Sequence, residues 1–197
     1  MSKELEIEFK NMLQQEEYEK LAAHYGFSES DVKTQENFYF DTPDFQLKNL
    51  KSALRIRKKQ DGFECTLKTP AAHGHFEITD ALAEDQATAM IEGQTFQAPE
   101  VCAALAELSV SPDALQLIGA LTTHRMEMET ADGLLVLDHS EYAGTEDYEI
   151  EFEVKEAAAG EKHFYDLLKS HSIPVRHANK KIARFMAAAE RRQQGGL

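Results

Sequence analysis

Cations are scarce in this sequence. Against 35 Asp+Glu stand only 21 Lys+Arg, a formal net charge of −14 over 197 residues. Such a shortage opposes nonspecific binding to nucleic acid or to an anionic membrane, while local basic charge still permits capture of a small polyanion. Cysteine is equally sparse. Cys65 sits in a strand-like pattern and Cys102 in a helical one, so they form neither a close metal-ligand pair nor a disulfide framework. No apolar run approaches transmembrane length. The first residues are acidic and carry no apolar signal stretch. A reduced, cytoplasmic protein is expected. The chain also lacks a G-x-S-x-G elbow and a Gly-rich phosphate loop after a strand, which argues against covalent serine chemistry. His73 and His75 have no further well-placed ligands for zinc.

What the chain does have is alternation. Glu4, Glu6 and Glu8 alternate with Leu5, Ile7 and Phe9, and Lys10 continues the polar parity. Glu149, Glu151 and Glu153 alternate in the same way with Ile150, Phe152 and Val154. Strand side chains switch faces with period two, so each segment places three carboxylates on one side. Like charges so close need compensating cations. The basic residues keep the same period: Arg55, Arg57 and Lys59 alternate with Leu54 and Ile56, and Lys68 and Arg125 lie in similar patterns. Asp138 ends a strand whose parity partners are Leu134 and Val136, so its direction stays open. A solvated sheet face would alternate too. Two glutamate rows with basic residues at the same period favour a site: Arg and Lys for phosphoryl oxygens, paired carboxylates for a hard divalent cation.

The order of elements predicts a strand over 3–10, a helix over 13–25 ended at Gly26, and an aromatic strand over 37–41 followed by the turn Asp41-Thr42-Pro43-Asp44. A hairpin is expected over 50–59 and 63–68, with Asp61-Gly62 as its turn. A short strand at 73–79 follows, then helical sequence over 84–108 interrupted near Pro99. Strands are expected at 120–130, 134–138 and 148–154, and helices at 161–171 and 178–192. The fold class is α+β: about eight antiparallel strands closed as a barrel, with surrounding helices. Residues 1–192 form one domain and 193–197 a flexible tail.

These residues resemble the CYTH family, the triphosphate tunnel metalloenzymes. The N-terminal E-x-E-x-K signature is Glu6-Ile7-Glu8-Phe9-Lys10. Supporting blocks are Phe40-Asp41-Thr42, Leu54-Arg55-Ile56-Arg57, Thr66-Leu67-Lys68, Thr123-His124-Arg125, Leu137-Asp138 and Glu149 through Glu153, with Asn179 through Phe185 near the end. The resemblance implies an eight-stranded antiparallel tunnel. It implies metal ligation by Glu6, Glu8, Asp138, Glu151 and Glu153, with Mg2+ or Mn2+ as the cofactor. It implies that Arg55, Arg57, Lys68 and Arg125 hold phosphate, that Lys10 contacts phosphate or organises the first-strand carboxylates, and that Glu77 balances the basic wall. Lys181 is the carried C-terminal lysine; a one-residue shift selects Lys180. Glu4 and Glu149 are expected at the tunnel mouths.

The implied activity is hydrolysis of a small triphosphate-containing substrate, foremost inorganic triphosphate to phosphate and pyrophosphate. Alternatives are thiamine triphosphate, with Tyr39 or Phe40 at an aromatic mouth, conversion of ATP to cyclic AMP, or noncatalytic polyphosphate binding. No nucleic-acid or membrane partner is expected, and a monomer or homodimer is.

Overall fold

The computed structural model describes residues 3–194, with only the backbone described at 193 and 194. The first glutamate row lies in β1 (Lys3–Leu13), and α1 (Gln15–His24) follows. The aromatic strand is β2 (Lys33–Asp41); it leads into the short helix α2 (Gln46–Asn49). Then come β3 (Ala53–Lys59), β4 (Gly62–Pro70) and β5 (His75–Leu82), followed by α3 (Glu84–Ile91) and α4 (Pro99–Glu107). The chain ends with β6 (Gln116–Glu129), β7 (Leu134–Tyr142), β8 (Thr145–Val154), α5 (Ala157–Ser170) and α6 (Lys181–Gln194). The strands close as an antiparallel barrel in the order β1-β5-β4-β3-β2-β6-β7-β8. Two compact units are distinguished. One takes the chain up to Glu6 with Gln35–Ala120, the other Ile7–Thr34 with Leu121 onward.

In the first unit the apolar parity of β3, β4 and β5 supplies Leu54, Ile56, Cys65, Leu67 and Ile78 to one core. Leu47 of α2, Met90 of α3 and Val101 and Leu105 of α4 cover it. Burying each such side chain is worth roughly 1.5–3 kcal/mol. In the second unit Met126, Leu135, Leu137, Ile150 and Phe152 play that part beneath Leu21 of α1 and Phe164 and Leu168 of α5. Helix α5 approaches β8 so closely that a Cβ on Gly160 would lie 2.4 Å from a methyl of Val154. In each unit the helices thus consume the apolar face of the strands and leave the charged face on the other side.

Local chemistry explains where the elements differ from expectation. The turn after β2 becomes α2 because buried Asp41 accepts backbone N–H bonds from Thr42 at 2.8 Å, Leu47 at 2.9 Å and Lys48 at 3.0 Å. A carboxylate that gathers helix N–H groups acts as a cap from a distance. Lys59 pairs with Gly62, so the β3–β4 loop is Gln60-Asp61 rather than Asp61-Gly62. The strand expected from His73 begins at His75. The helical stretch divides into α3 and α4, and Pro99 opens α4, where its missing N–H costs nothing. β7 runs on to Tyr142 and returns through Ala143-Gly144, both with positive φ, 49° and 76°. That is the backbone of a two-residue hairpin turn. The expected tail is helical at 193–194, and its last three residues lie outside those described.

Candidate functional site

In the second unit, β6, β7 and β8 align their charged parities. Arg125 pairs in register with Asp138, and Asp138 with Glu149. Arg125 donates from Nε to Asp138 Oδ1 at 2.8 Å, from Nη2 to Oδ2 at 2.6 Å, and from Nη2 to Glu151 Oε2 at 2.8 Å. The bidentate fork is the stronger form of this pairing. Asp138 is fully buried, and its bonds to Arg125 and Lys181 turn it to the charged face, the direction left open by its apolar parity partners. From β1, Lys10 lies 2.7 Å from Glu8 and 3.6 Å from Glu151. Glu8 is the register partner of Glu153.

Helix α6 contributes the remaining cations. Lys181 and Arg184 stand three residues apart on one helical face. Lys181 Nζ is 2.8 Å from Asp138 Oδ2, 2.9 Å from Glu151 Oε1, and bonded to Glu149. This geometry places Lys181 facing the carboxylates. Arg184 Nη1 reaches Glu149 Oε2 at 2.6 Å, and its Nε lies 2.9 Å from Asp147. The segment before α6 is tethered by a bidentate pair from Arg176 to Glu17 at 2.6 and 2.9 Å, and by Asn11 to the carbonyl of Pro174 at 3.1 Å. Glu149, expected at a tunnel mouth, is instead fully buried, because Lys181 and Arg184 both neutralise it. Asp138, Glu149 and Glu151 bring one carboxylate oxygen each within 4.8 Å of one another. Three buried oxygen donors suit a hard divalent cation.

In the first unit, Lys68 of β4 pairs in register with Glu77 of β5 and lies 2.8 Å from its carboxylate. Lys68 also hydrogen-bonds Glu6 of β1. Arg57 donates from Nε to Asn37 at 2.8 Å and lies 3.6 Å from Glu64. Arg55 shares the parity of Arg57 on β3. Glu77 balances this wall: burial raises its carboxyl, but the charges of Lys68, Arg55 and Arg57 outweigh that and hold it below its usual value. Two aromatic candidates lie inside the fold. Tyr39 and Phe40 are buried, and Phe40 packs edge-on to Phe96 at 5.3 Å.

The site residues expected from sequence thus fall into two groups. Arg55, Arg57, Lys68 and Glu6 belong to the first unit; Glu8, Lys10, Arg125, Asp138, Glu151, Glu153 and Lys181 belong to the second. Glu149 and Arg184 join the second group; the expectation left them out although both lay within the family blocks. Their only local signal was the glutamate row and the i, i+3 spacing of Lys181 and Arg184.

The electrostatics carry a pH dependence. Burial raises the Asp138 carboxyl, yet Arg125 and Lys181 overcome it and hold it well below the usual range. The hydrogen bonds from Arg176 lower Glu17. A depressed folded value means stability that is fully present above the unfolded value, about 4, and lost as pH falls below it. Urea unfolding should therefore show stability falling between about pH 5 and pH 2, less steeply in Glu17→Gln. A profile flat over that range would contradict the pairing. Burial also lowers the Lys181 ammonium to about 7, with Arg125 and Lys10 adding to the shift and Asp138 opposing it.

Comparison with known proteins supplies the family. A family profile described as "CYTH domain" matches residues 4–186. "Putative triphosphatase YjbK" of Bacillus subtilis (strain 168) is 45% identical over 187 residues, which cover 94% of this chain and 96% of that protein. A crystal structure titled as a putative adenylate cyclase from Bacillus halodurans superposes with a TM-score of 0.90 at 42% identity, covering 94% of this chain and 99% of that one. The Hippeastrum protein HpAC1, titled a putative adenylyl cyclase with a dominant triphosphatase activity, shares the fold at 23% identity and a TM-score of 0.75, covering 93% and 96%.

Proposed function

The chain belongs to the CYTH family, and from that premise we propose that it is a divalent-metal-dependent triphosphatase, with inorganic triphosphate the preferred substrate. The observation that carries the reading is the buried group Asp138, Glu149 and Glu151, held among Arg125, Lys181 and Arg184. A purely structural ion network would seldom bury three acids so close together, because their desolvation is costly. Glu8 and Glu153 extend this set as further oxygen donors, and Glu6 is the corresponding donor assigned in the first unit. When bound, Mg2+ or Mn2+ supplies charge neutralisation and acidifies a water.

The chain's own cations do the rest. Arg55, Arg57 and Lys68 hold phosphoryl oxygens by charge-assisted bonds. Arg125, Lys181 and Lys10 orient the carboxylates and stabilise negative charge that grows on the transferred group. A carboxylate takes the proton from water as the terminal phosphoanhydride breaks, releasing phosphate and pyrophosphate. Phe40 packs into the apolar core against Phe96, which takes it away from an organic base, whereas Tyr39 shares the face of its register partner Arg55. The −14 net charge argues against an RNA substrate. No described helix is long and apolar enough to cross a membrane.

The test is a product assay. Inorganic triphosphate, thiamine triphosphate and ATP are supplied separately with Mg2+ or Mn2+, and phosphate, pyrophosphate and cyclic AMP are read independently. Phosphate and pyrophosphate from inorganic triphosphate are expected, and Glu151→Gln should lower turnover by about a hundredfold while the protein stays folded. Cyclic AMP from ATP without comparable triphosphate hydrolysis would establish a cyclase instead. Tight triphosphate binding without any product would establish a binding protein.

A further inference from the structure

The opposite face of the same β6–β7 hairpin carries a second cluster of metal-ligating side chains. His124 and His139 are register partners on β6 and β7, and Glu141 lies two residues beyond His139 on its face. Their parity is that of Met126 and Leu137, which pack beneath the helices, and opposite to that of Arg125 and Asp138. One donor atom from each of His124, His139 and Glu141 falls within a sphere of mutual distances of 4.8 Å.

The surroundings prepare these groups. Thr34 Oγ1 lies 3.0 Å from His124 Nδ1, and His124 Nε2 is turned to Glu141 Oε2 at 4.0 Å. A polar partner on one ring nitrogen that orients the other is the usual support of a metal-bound histidine. The His139 ring stacks on Tyr148, with centroids 4.6 Å apart and planes at 11°. Its Nε2 lies 2.8 Å from Glu146 Oε2. Glu146 is in turn the register partner of Glu141 across the tight β7–β8 turn. Two glutamates directly opposite each other repel unless a cation lies between them. Both carboxylates are more than half exposed, at 54%, so a cation has open access.

We propose that His124, His139 and Glu141 form a second metal site, selective for a borderline transition-metal cation of the Zn2+ or Co2+ class. Two imidazoles favour such an ion over magnesium, which takes oxygen ligands and keeps its waters. Three protein ligands leave the fourth position of a tetrahedron to water, while Glu146 is the hydrogen-bond partner of the His139 ring. A bound ion ties β6 and β7 together behind Arg125 and Asp138. This inference does not depend on the triphosphatase reading, because its ligands lie on the other face of the strands.

Cobalt is the probe, since its visible spectrum reports coordination. The whole protein, held in excess Mg2+ to occupy carboxylate sites, is titrated with Co2+ alone. One equivalent should bind with the intense bands of a four-coordinate ion, and added Zn2+ should bleach them. His124→Gln and His139→Gln should each weaken binding at least about tenfold. Weak six-coordinate bands only, loss of the signal in excess Mg2+, or unchanged affinity in the double His→Gln variant would overturn the proposal. The wild-type spectrum decides it even if the variants fail to fold.

Discussion

Replacing Arg125 with methionine should destabilise the protein by about 3–5 kcal/mol, read as a lower urea midpoint at unchanged slope. Methionine preserves much of the volume and removes the charge. Its loss strips three N–H bonds from Asp138 and Glu151, both buried. The remaining carboxylates have Lys181 close by, but one ammonium cannot reproduce the planar fork. The reciprocal sign appears in Arg125 itself. Burial lowers the guanidinium, yet Asp138 and Glu151 raise it well above its normal value, so it stays charged throughout. Two residues along the same strand, Glu127 pairs with Lys33 at 2.6 Å, but the lysine is 57% exposed. Lys33→Ala should therefore cost less than about 1 kcal/mol. Similar losses in the two variants would show that burial does not govern these pairs.

The contrast between those two pairs also marks what sequence conveys about this molecule. Period-two alternation made the strands legible, because the same residues that leave the apolar parity for the helices set the charged parity of Arg55, Arg57, Lys68 and Arg125. The family blocks then ordered them along the chain. β7 was cut short at Asp138 because its continuation, His139-Ser140-Glu141, is polar on both faces and offers no alternation to read. That same stretch holds two of the proposed transition-metal ligands, His139 and Glu141. Helix α2 was hidden for another reason: its cap is Asp41, whose carboxylate reaches forward six and seven residues. Local capping rules look one turn ahead. Glu149 looked like the end of a row on strand spacing alone. Its burial depends on α6, more than thirty residues away, which delivers Lys181 and Arg184 to it.

Lys181 gives the sharpest test of how the carboxylate group is held. Its ammonium touches the three acids, Asp138, Glu149 and Glu151, whose oxygens converge. A cation entering there must displace it, so the lysine serves as a resident counter-ion and as a competitor. Lys181→Ala leaves the acids with Arg125, Arg184 and, 3.6 Å from Glu151, Lys10, and the metal-free protein should lose about 3–5 kcal/mol. The same change removes the competitor. Saturating Mg2+ or Mn2+ should then restore most of the deficit, since a ligand at a hundred times its Kd returns about 2.7 kcal/mol. Thermal unfolding of both proteins across a metal titration reads both effects at once. The variant should begin lower and rise further than the wild type, at lower metal concentration. A wild type stabilised by metal as strongly as the variant, over the same concentrations, would mean that divalent ions bind elsewhere and that Asp138, Glu149 and Glu151 are a salt-bridge network alone.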